Sequence, residues 1–233
     1  MQLSNLDWQQ VEAYLTNEDR VIVPLGSTEQ HAGLSLSVDT ILAERIALEA
    51  AEPEGVLVFP ALPYGVAPYF AAFPGTVTLR LQTYYAVIED LLTSLARTGF
   101  RRVLFVNGHG GNSSAATFAQ EWCMTHPEMQ VKLHNWWRAP KTWAAVQAID
   151  ERASHASWME NFPWTRLQGA TAPDAPKPMV EYSQLELLAP QEARAYLGDG
   201  SFGGAYEKPD DVMLELWRVG VEEARAVLQG PWR

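Results

Sequence analysis

Short apolar runs, each followed by a stretch of helical spacing, constrain the fold of this chain more than any other feature. Val21-Ile22-Val23-Pro24-Leu25, Val56-Leu57-Val58-Phe59 and Val103-Leu104-Phe105-Val106 read as strands buried on both faces. A less apolar run over residues 131–135 reads as a further strand. Between them, Ile41, Leu42 and Ile46 mark a helix over residues 39–51. Tyr85, Ile88, Leu91, Leu92 and Leu95 mark one over residues 82–97, and Phe118, Trp122 and Cys123 mark one after Asn112. This alternation predicts an α/β fold with a mainly parallel central sheet and helices on both faces. The connections should be right-handed. A chain of 233 residues can bury one full core of this kind, so 1–233 reads as one domain.

The ends are less regular. Ser4 with Asp7 reads as a capping box before a short helix carrying Trp8, Val11 and Leu15. After about residue 138 the periodicity weakens. Residues 162–190 are rich in proline and read as an extended arm or inter-subunit loop. A Gly-rich turn follows at 198–204, and a last helix is expected over 209–228.

Chemistry gathers where the strands end. Glu29 and His31 follow the first strand two residues apart, so in extended backbone both side chains leave one face. A carboxylate and an imidazole so placed can converge on a divalent ion. Asp39 opens the next helix, where it is either an N-cap or a group turned back to the same point. His109 follows the third strand within Asn107-Gly108-His109-Gly110-Gly111-Asn112. If the two strands are neighbours, both motifs face one crevice beyond the sheet's carboxyl edge. The glycine-rich turn lacks the Lys-Ser/Thr of a phosphate-binding loop, and Asn112 reads as the cap of the next helix. His155 and Glu160 form a later cluster; their spacing is not one helical stripe, but both can reach one pocket. His126 reads as surface and His134 as structural.

A net charge of −11 without a basic patch argues against nucleic-acid or anionic-membrane partners. No apolar run reaches the length of a membrane span. The one cysteine, Cys123, reads as a buried thiol and fits a reducing cytoplasm. Met1-Gln2-Leu3-Ser4 lacks the order of a signal peptide.

Taken together, the motifs resemble the creatininase family of metal hydrolases. The resemblance lies in Pro24-Leu25-Gly26-Ser27-Thr28-Glu29-Gln30-His31 with Asp39, in Phe73-Pro74-Gly75-Thr76, and in Asn107-Gly108-His109-Gly110-Gly111-Asn112. It continues in His155-Ala156-Ser157 with Glu160 and in the turn from Gly200 to Tyr206. It implies a homohexamer, a small-molecule amide substrate, and hydrolysis of a cyclic amide or formamide C–N bond by water held between two divalent ions. The implied ligands are Glu29, His31, Asp39 and His109, with Asp39 bridging, plus a further glutamate. Creatininase itself has that glutamate two residues after the second-motif histidine, where this chain has Gly111, so Glu160 is the candidate. Ala32-Gly33-Leu34 also departs from the family's usual Gly-Pro-His.

Oxygen and nitrogen donors without thiolate suit zinc, manganese or iron alike. The leaving nitrogen needs a proton, and His155 is the expected general acid, with Glu160 as catalytic or metal-holding carboxylate. Tyr69, Trp136, Trp137 and Trp158 are expected either to wall a flat substrate or to pack in the core or an interface. A catalytically silent metal- or ligand-binding protein is the rival reading.

Overall fold

The computed structural model describes residues 1–232. Its centre is an all-parallel, four-stranded sheet in the order β2-β1-β3-β4. The strands are β1 (Arg20–Leu25), β2 (Leu57–Val58), β3 (Arg102–Asn107) and β4 (Gln130–Asn135). The helices are α1 (Trp8–Leu15), α2 (Val38–Ala51), α3 (Leu81–Thr98), α4 (Ala115–Met124), α5 (Pro140–Ile149), α6 (Tyr182–Leu185), α7 (Pro190–Leu197) and α8 (Asp210–Gln229). No helix among the described residues is long and apolar enough to cross a membrane.

The inner strands β1 and β3 are mostly apolar because both their faces are covered, while β4 at the edge mixes polar and apolar residues; the pleat sorts the side chains. Ile22, Val58, Leu104 and Val106 face one layer, where α2, α5 and α8 contribute Leu42, Ile46, Val146, Met213 and Leu216. Val21, Val23, Leu25, Leu57, Val103 and Phe105 face the other, against Tyr84, Ile88 and Leu92 of α3 and Ala119 and Trp122 of α4. Val11 and Leu15 of α1 pack on that second layer. The register pairs Leu25 with Asn107, so β1 and β3 end side by side. The motifs after those strands therefore leave the same edge of the sheet.

Several local expectations are corrected. The cap of α1 is Asp7, not Ser4: Asp7 Oδ1 accepts from the Gln10 amide at 2.9 Å, and Gln10 Oε1 accepts from the Asp7 amide at 2.9 Å. Asn112 does not cap α4. It lies in a 3-10 turn (Gly110–Ser114), and its Nδ2 donates to the Gly26 carbonyl at 2.9 Å, tying the two site loops together. The helices α5 and α7 lie where the sequence pattern faded. The first amides of α5 are held from α8, since Glu223 accepts from the Lys141 and Thr142 amides at 2.9 and 2.8 Å and from the Thr142 hydroxyl at 2.8 Å. That support is long-range and invisible to local periodicity. The far end of the proline-rich stretch lies on its own chain. Lys177 bridges Gly204, and Val180 and Leu185 join a third apolar cluster with Phe70, Phe73 and Phe202.

The start of α2 passes very close to the end of β3. A Cβ on Gly108 would lie 2.2 Å from the carbonyl oxygen of Asp39, well inside contact distance. Gly108 is the residue that lets the helix bring Asp39 to the sheet edge. Gly108→Ala is expected to lower unfolding stability by about 1–3 kcal/mol in urea denaturation. Gly110→Ala, which meets nothing within 4 Å, should stay within about 0.5 kcal/mol of the parent.

Candidate active site

Glu29, His31, Asp39 and His109 converge beyond the ends of β1 and β3, and all four are buried. Asp39 lies in the first turn of α2, whose N-cap position is Ser37 with no side-chain cap bond. Asp39 is thus not the cap. Its Oδ1 lies 3.1 Å from His31 Nε2, and its Oδ2 lies 3.0 Å from His109 Nδ1. Glu29 Oε2 accepts from Ser27 Oγ at 2.8 Å and is 3.2 Å from His109 Nδ1.

Each histidine is oriented by its other nitrogen. His31 Nδ1 donates to the Glu29 carbonyl at 3.1 Å, which turns Nε2 inward. His109 Nε2 donates to the Val66 carbonyl at 2.9 Å, which turns Nδ1 inward. Tying the far nitrogen to a carbonyl is how proteins present a lone pair to a metal. Glu160 Oε2 arrives from a separate segment, accepting from the Ala156 amide at 2.6 Å and lying 3.8 Å from His31 Nε2. Ala156 holds that amide with φ of 55°, and Ala32, next to His31, has φ of 50°. Left-handed backbone at alanine is strained and persists only where the surroundings impose it.

The electrostatics show what the cluster lacks. Burial works against charge on His31, yet Asp39, Glu160 and Glu29 lift its pKa to about 10. His109 is likewise raised against burial by Glu29 and Asp39. Burial pushes Glu160 up to about 7, with Asp39 and Glu29 adding to the shift and His31 opposing it. Asp39 is held below the usual carboxylate range by His31 and His109, against burial. Glu29 Oε1 is buried without a hydrogen-bond donor, and Asp39 Oδ2 has only His109 Nδ1 within reach. Such oxygens are costly unless a cation or donor meets them.

This donor set fits divalent cations. Glu29, Asp39 and His109 place ligand atoms within 4.8 Å of one another, and so do His31, Asp39 and Glu160. Asp39 belongs to these two groups, and a third brings together Glu29, His31 and His155. Gly111 has no room for a side chain. A Cβ at 111 would lie 1.9 Å from the Val66 carbonyl oxygen and 2.7 Å from His109 Nε2, so the contact that orients His109 also excludes a side chain there.

His155 stands at the rim of the cluster, with Nδ1 3.9 Å from Glu29 Oε1. Its Nε2 lies 3.1 Å from the Gln30 backbone carbonyl oxygen and 2.9 Å from the Gln30 side-chain Nε2. Phe70 stacks on the ring at 4.6 Å and 19°. Burial and the neighbouring His31 push its pKa well below the ordinary histidine value.

A cavity of about 500 Å³ opens onto Glu29, Asp39, His109, His155 and Glu160. Tyr69 lines it, its hydroxyl 2.9 Å from that of Tyr182. Trp136 and Trp158 do not. Both are fully buried in the layer beneath α8, where Trp136 meets Trp217 at 5.7 Å. The expected substrate-wall role of these two is corrected: Trp136 enters the core, whereas Trp137, the next residue of the 3-10 turn after β4, faces the cavity. Trp143 and Arg138 also line it and carried no earlier signal, because α5 was not legible. His126 stacks on Trp122 at 3.7 Å. His134 is buried, with its pKa lowered to about 4 by burial.

Comparison with known proteins bears on this geometry. The family model "Creatinine amidohydrolase" (creatininase) matches residues 4–205. A creatinine amidohydrolase of Pseudomonas putida is 35% identical over 118 residues, 48% of this chain and 45% of that protein. A mycofactocin precursor peptide peptidase of Mycolicibacterium smegmatis is 38% identical over 109 residues, 42% of each chain. A 3-dehydro-scyllo-inosose hydrolase of Thermotoga maritima is 33% identical over 104 residues, 44% of this chain and 33% of that one. Each match spans less than half of the relative's own length. Among solved structures, a creatinine amidohydrolase superposes with a TM-score of 0.80 at 23% identity, over 98% of this chain and 96% of that one. A manganese creatininase gives 0.79 and a zinc–zinc creatininase 0.78, each at 22% identity over 98% of this chain, and over 97% and 96% of theirs.

The division between core and cavity tryptophans has a direct check. Trp158→Ala should cost about 3–5 kcal/mol of unfolding free energy in urea. Trp137→Ala should cost less than half as much, because part of its surface already faces the cavity.

Proposed function

This chain belongs to the creatininase family, and we propose that it is a metal-dependent amidohydrolase acting on the C–N bond of a cyclic amide or formamide. The observation that carries the reading is the position of Asp39, whose two oxygens face separate sets of ligand atoms. Glu29 and His109 would hold one divalent ion with Asp39, and His31 and Glu160 a second. Solved creatininases in zinc–zinc and manganese forms, and one complexed with creatine, support both the ions and a small substrate. When bound, such ions supply an acidified water at neutral pH and stabilise negative charge on the carbonyl oxygen. The three carboxylates then leave a pair of divalent ions one charge in excess, which a hydroxide balances.

The chain's own residues supply the rest. Ser27 and the Val66 carbonyl keep Glu29 and His109 in place. His155 is the proton carrier to the leaving nitrogen: neutral at rest because its pKa is depressed, it would take a proton from the attacking water and pass it on; it lines the cavity, its Nδ1 faces Glu29, and Phe70 and Phe202 fix its ring. Phe70, Tyr69 and Trp137 form the flat walls against which a planar amide would pack. The assembly is proposed, by family resemblance, as a homohexamer.

The test is hydrolysis of creatinine and a panel of formamides and cyclic amides by protein reconstituted with zinc or manganese. Turnover that disappears with EDTA and returns with metal is expected. His155→Ala should keep its metal and lose about 10²–10⁴-fold in kcat. Loss of metal on that substitution would make His155 a ligand, and turnover indifferent to EDTA would sink the metal-dependent reading.

A further inference from the structure

Four charged side chains line the cavity, and three of them are the carboxylates Glu29, Asp39 and Glu160. The fourth is Arg138, the one Lys or Arg that lines it among the described residues. In a chain of net charge −11, eight of the 17 Lys and Arg residues are committed to ion pairs elsewhere. These are Arg20, Arg45, Arg102, Arg152, Arg166, Lys177, Lys208 and Arg218. Arg138 is exposed and, among the described residues, takes part in no ion pair, hydrogen bond or ring contact.

Its backbone is nonetheless well fixed. Arg138 ends the turn Trp136–Arg138 that follows β4. Trp136 anchors one end of that turn in the core, and Pro140 starts α5 at the other, where Glu223 holds the first amides. A charged side chain on a rigid turn, beside the half-buried Trp137 and facing a cavity, is placed to read a ligand. The walls on either side, Trp137 and Trp143, suit a flat group.

We propose that Arg138 is a specificity residue that binds a carboxylate on the substrate, away from the scissile C–N bond. The reading rests on the proposed hydrolase function of the same site. A guanidinium fork matches a carboxylate in two parallel hydrogen bonds. A single fork balances a single negative charge, whereas a phosphate dianion bound beside Arg138 would meet no second Lys or Arg in the cavity lining. The substrate class is therefore an amide with a carboxylate: neutral amides such as creatinine would use the cavity without this contact.

The experiment measures equilibrium binding, by calorimetry, of two matched pairs to the metal-loaded protein. Pyroglutamate is compared with pyrrolidinone, and N-formylglycine with N-methylformamide; each pair differs by a carboxylate. The parent should prefer the carboxylate member of at least one pair by about tenfold or more. Arg138→Gln should abolish that preference and Arg138→Lys should keep part of it, with metal content and Tm unchanged in both. A preference that survives in Arg138→Gln assigns the carboxylate to the metal ions and overturns the proposal, as does the lack of any preference in the parent. A changed assembly mass in Arg138→Gln, with ligand preference intact, makes Arg138 a subunit contact and overturns it too. Binding is read without turnover, so failure of hydrolysis and failure of this assignment are separable.

Discussion

Burying several carboxylates in one place is the constraint on which the rest of this structure depends. Glu29, Asp39 and Glu160 approach the same two imidazoles in a region almost closed to water. Their mutual repulsion is large where the dielectric is low. Only positive charge resolves it, and the two histidines show the demand by their raised affinity for protons. Divalent ions would answer it more completely, because they would also meet Glu29 Oε1, which no hydrogen-bond donor reaches. The site is best understood as a set of ligands positioned at the cost of local stability, including left-handed backbone at Ala32 and Ala156.

The fold bears that cost through its sheet. Adjacent parallel strands β1 and β3 end level with one another, so the loops carrying Glu29, His31 and His109 emerge side by side. The α2 helix presses its first turn against Gly108 and so delivers Asp39 between them. Asn112 then clasps the loop after β3 to the loop after β1. The later part of the chain adds what the sheet cannot. The segment around residues 155–160 brings Glu160 and His155, and the turn at Gly200 receives the Gln30 amide beside His155. Phe70 and Phe202, backed by Leu185 in the same apolar cluster, close one wall of the cavity.

Much of this was legible in the sequence. The strands were readable because sheets buried on both faces are apolar throughout, and Glu29 and His31 were readable as a pair because i and i+2 share a face. Asp39 was ambiguous, since a helix-opening aspartate looks the same whether it caps the helix or turns away; only the three-dimensional path past Gly108 separates the two. Trp136 and Trp137 could not be told apart, because which neighbour enters the core depends on where β4 ends. The helices α5 and α7 are short, and α5 owes its start to Glu223, distant in sequence. Arg138 gave no signal at all: an arginine in a weak pattern is indistinguishable from a solvated one until the cavity is known.

The account turns on Asp39 serving two cation positions at once, and the most direct measurement is a count of metal ions per chain by elemental analysis after reconstitution and desalting. The parent protein is predicted to retain two ions per chain, Glu160→Gln to retain one, and Asp39→Ala to retain none. A parent that holds no more than one ion, or an Asp39→Ala protein that still holds two, would contradict it.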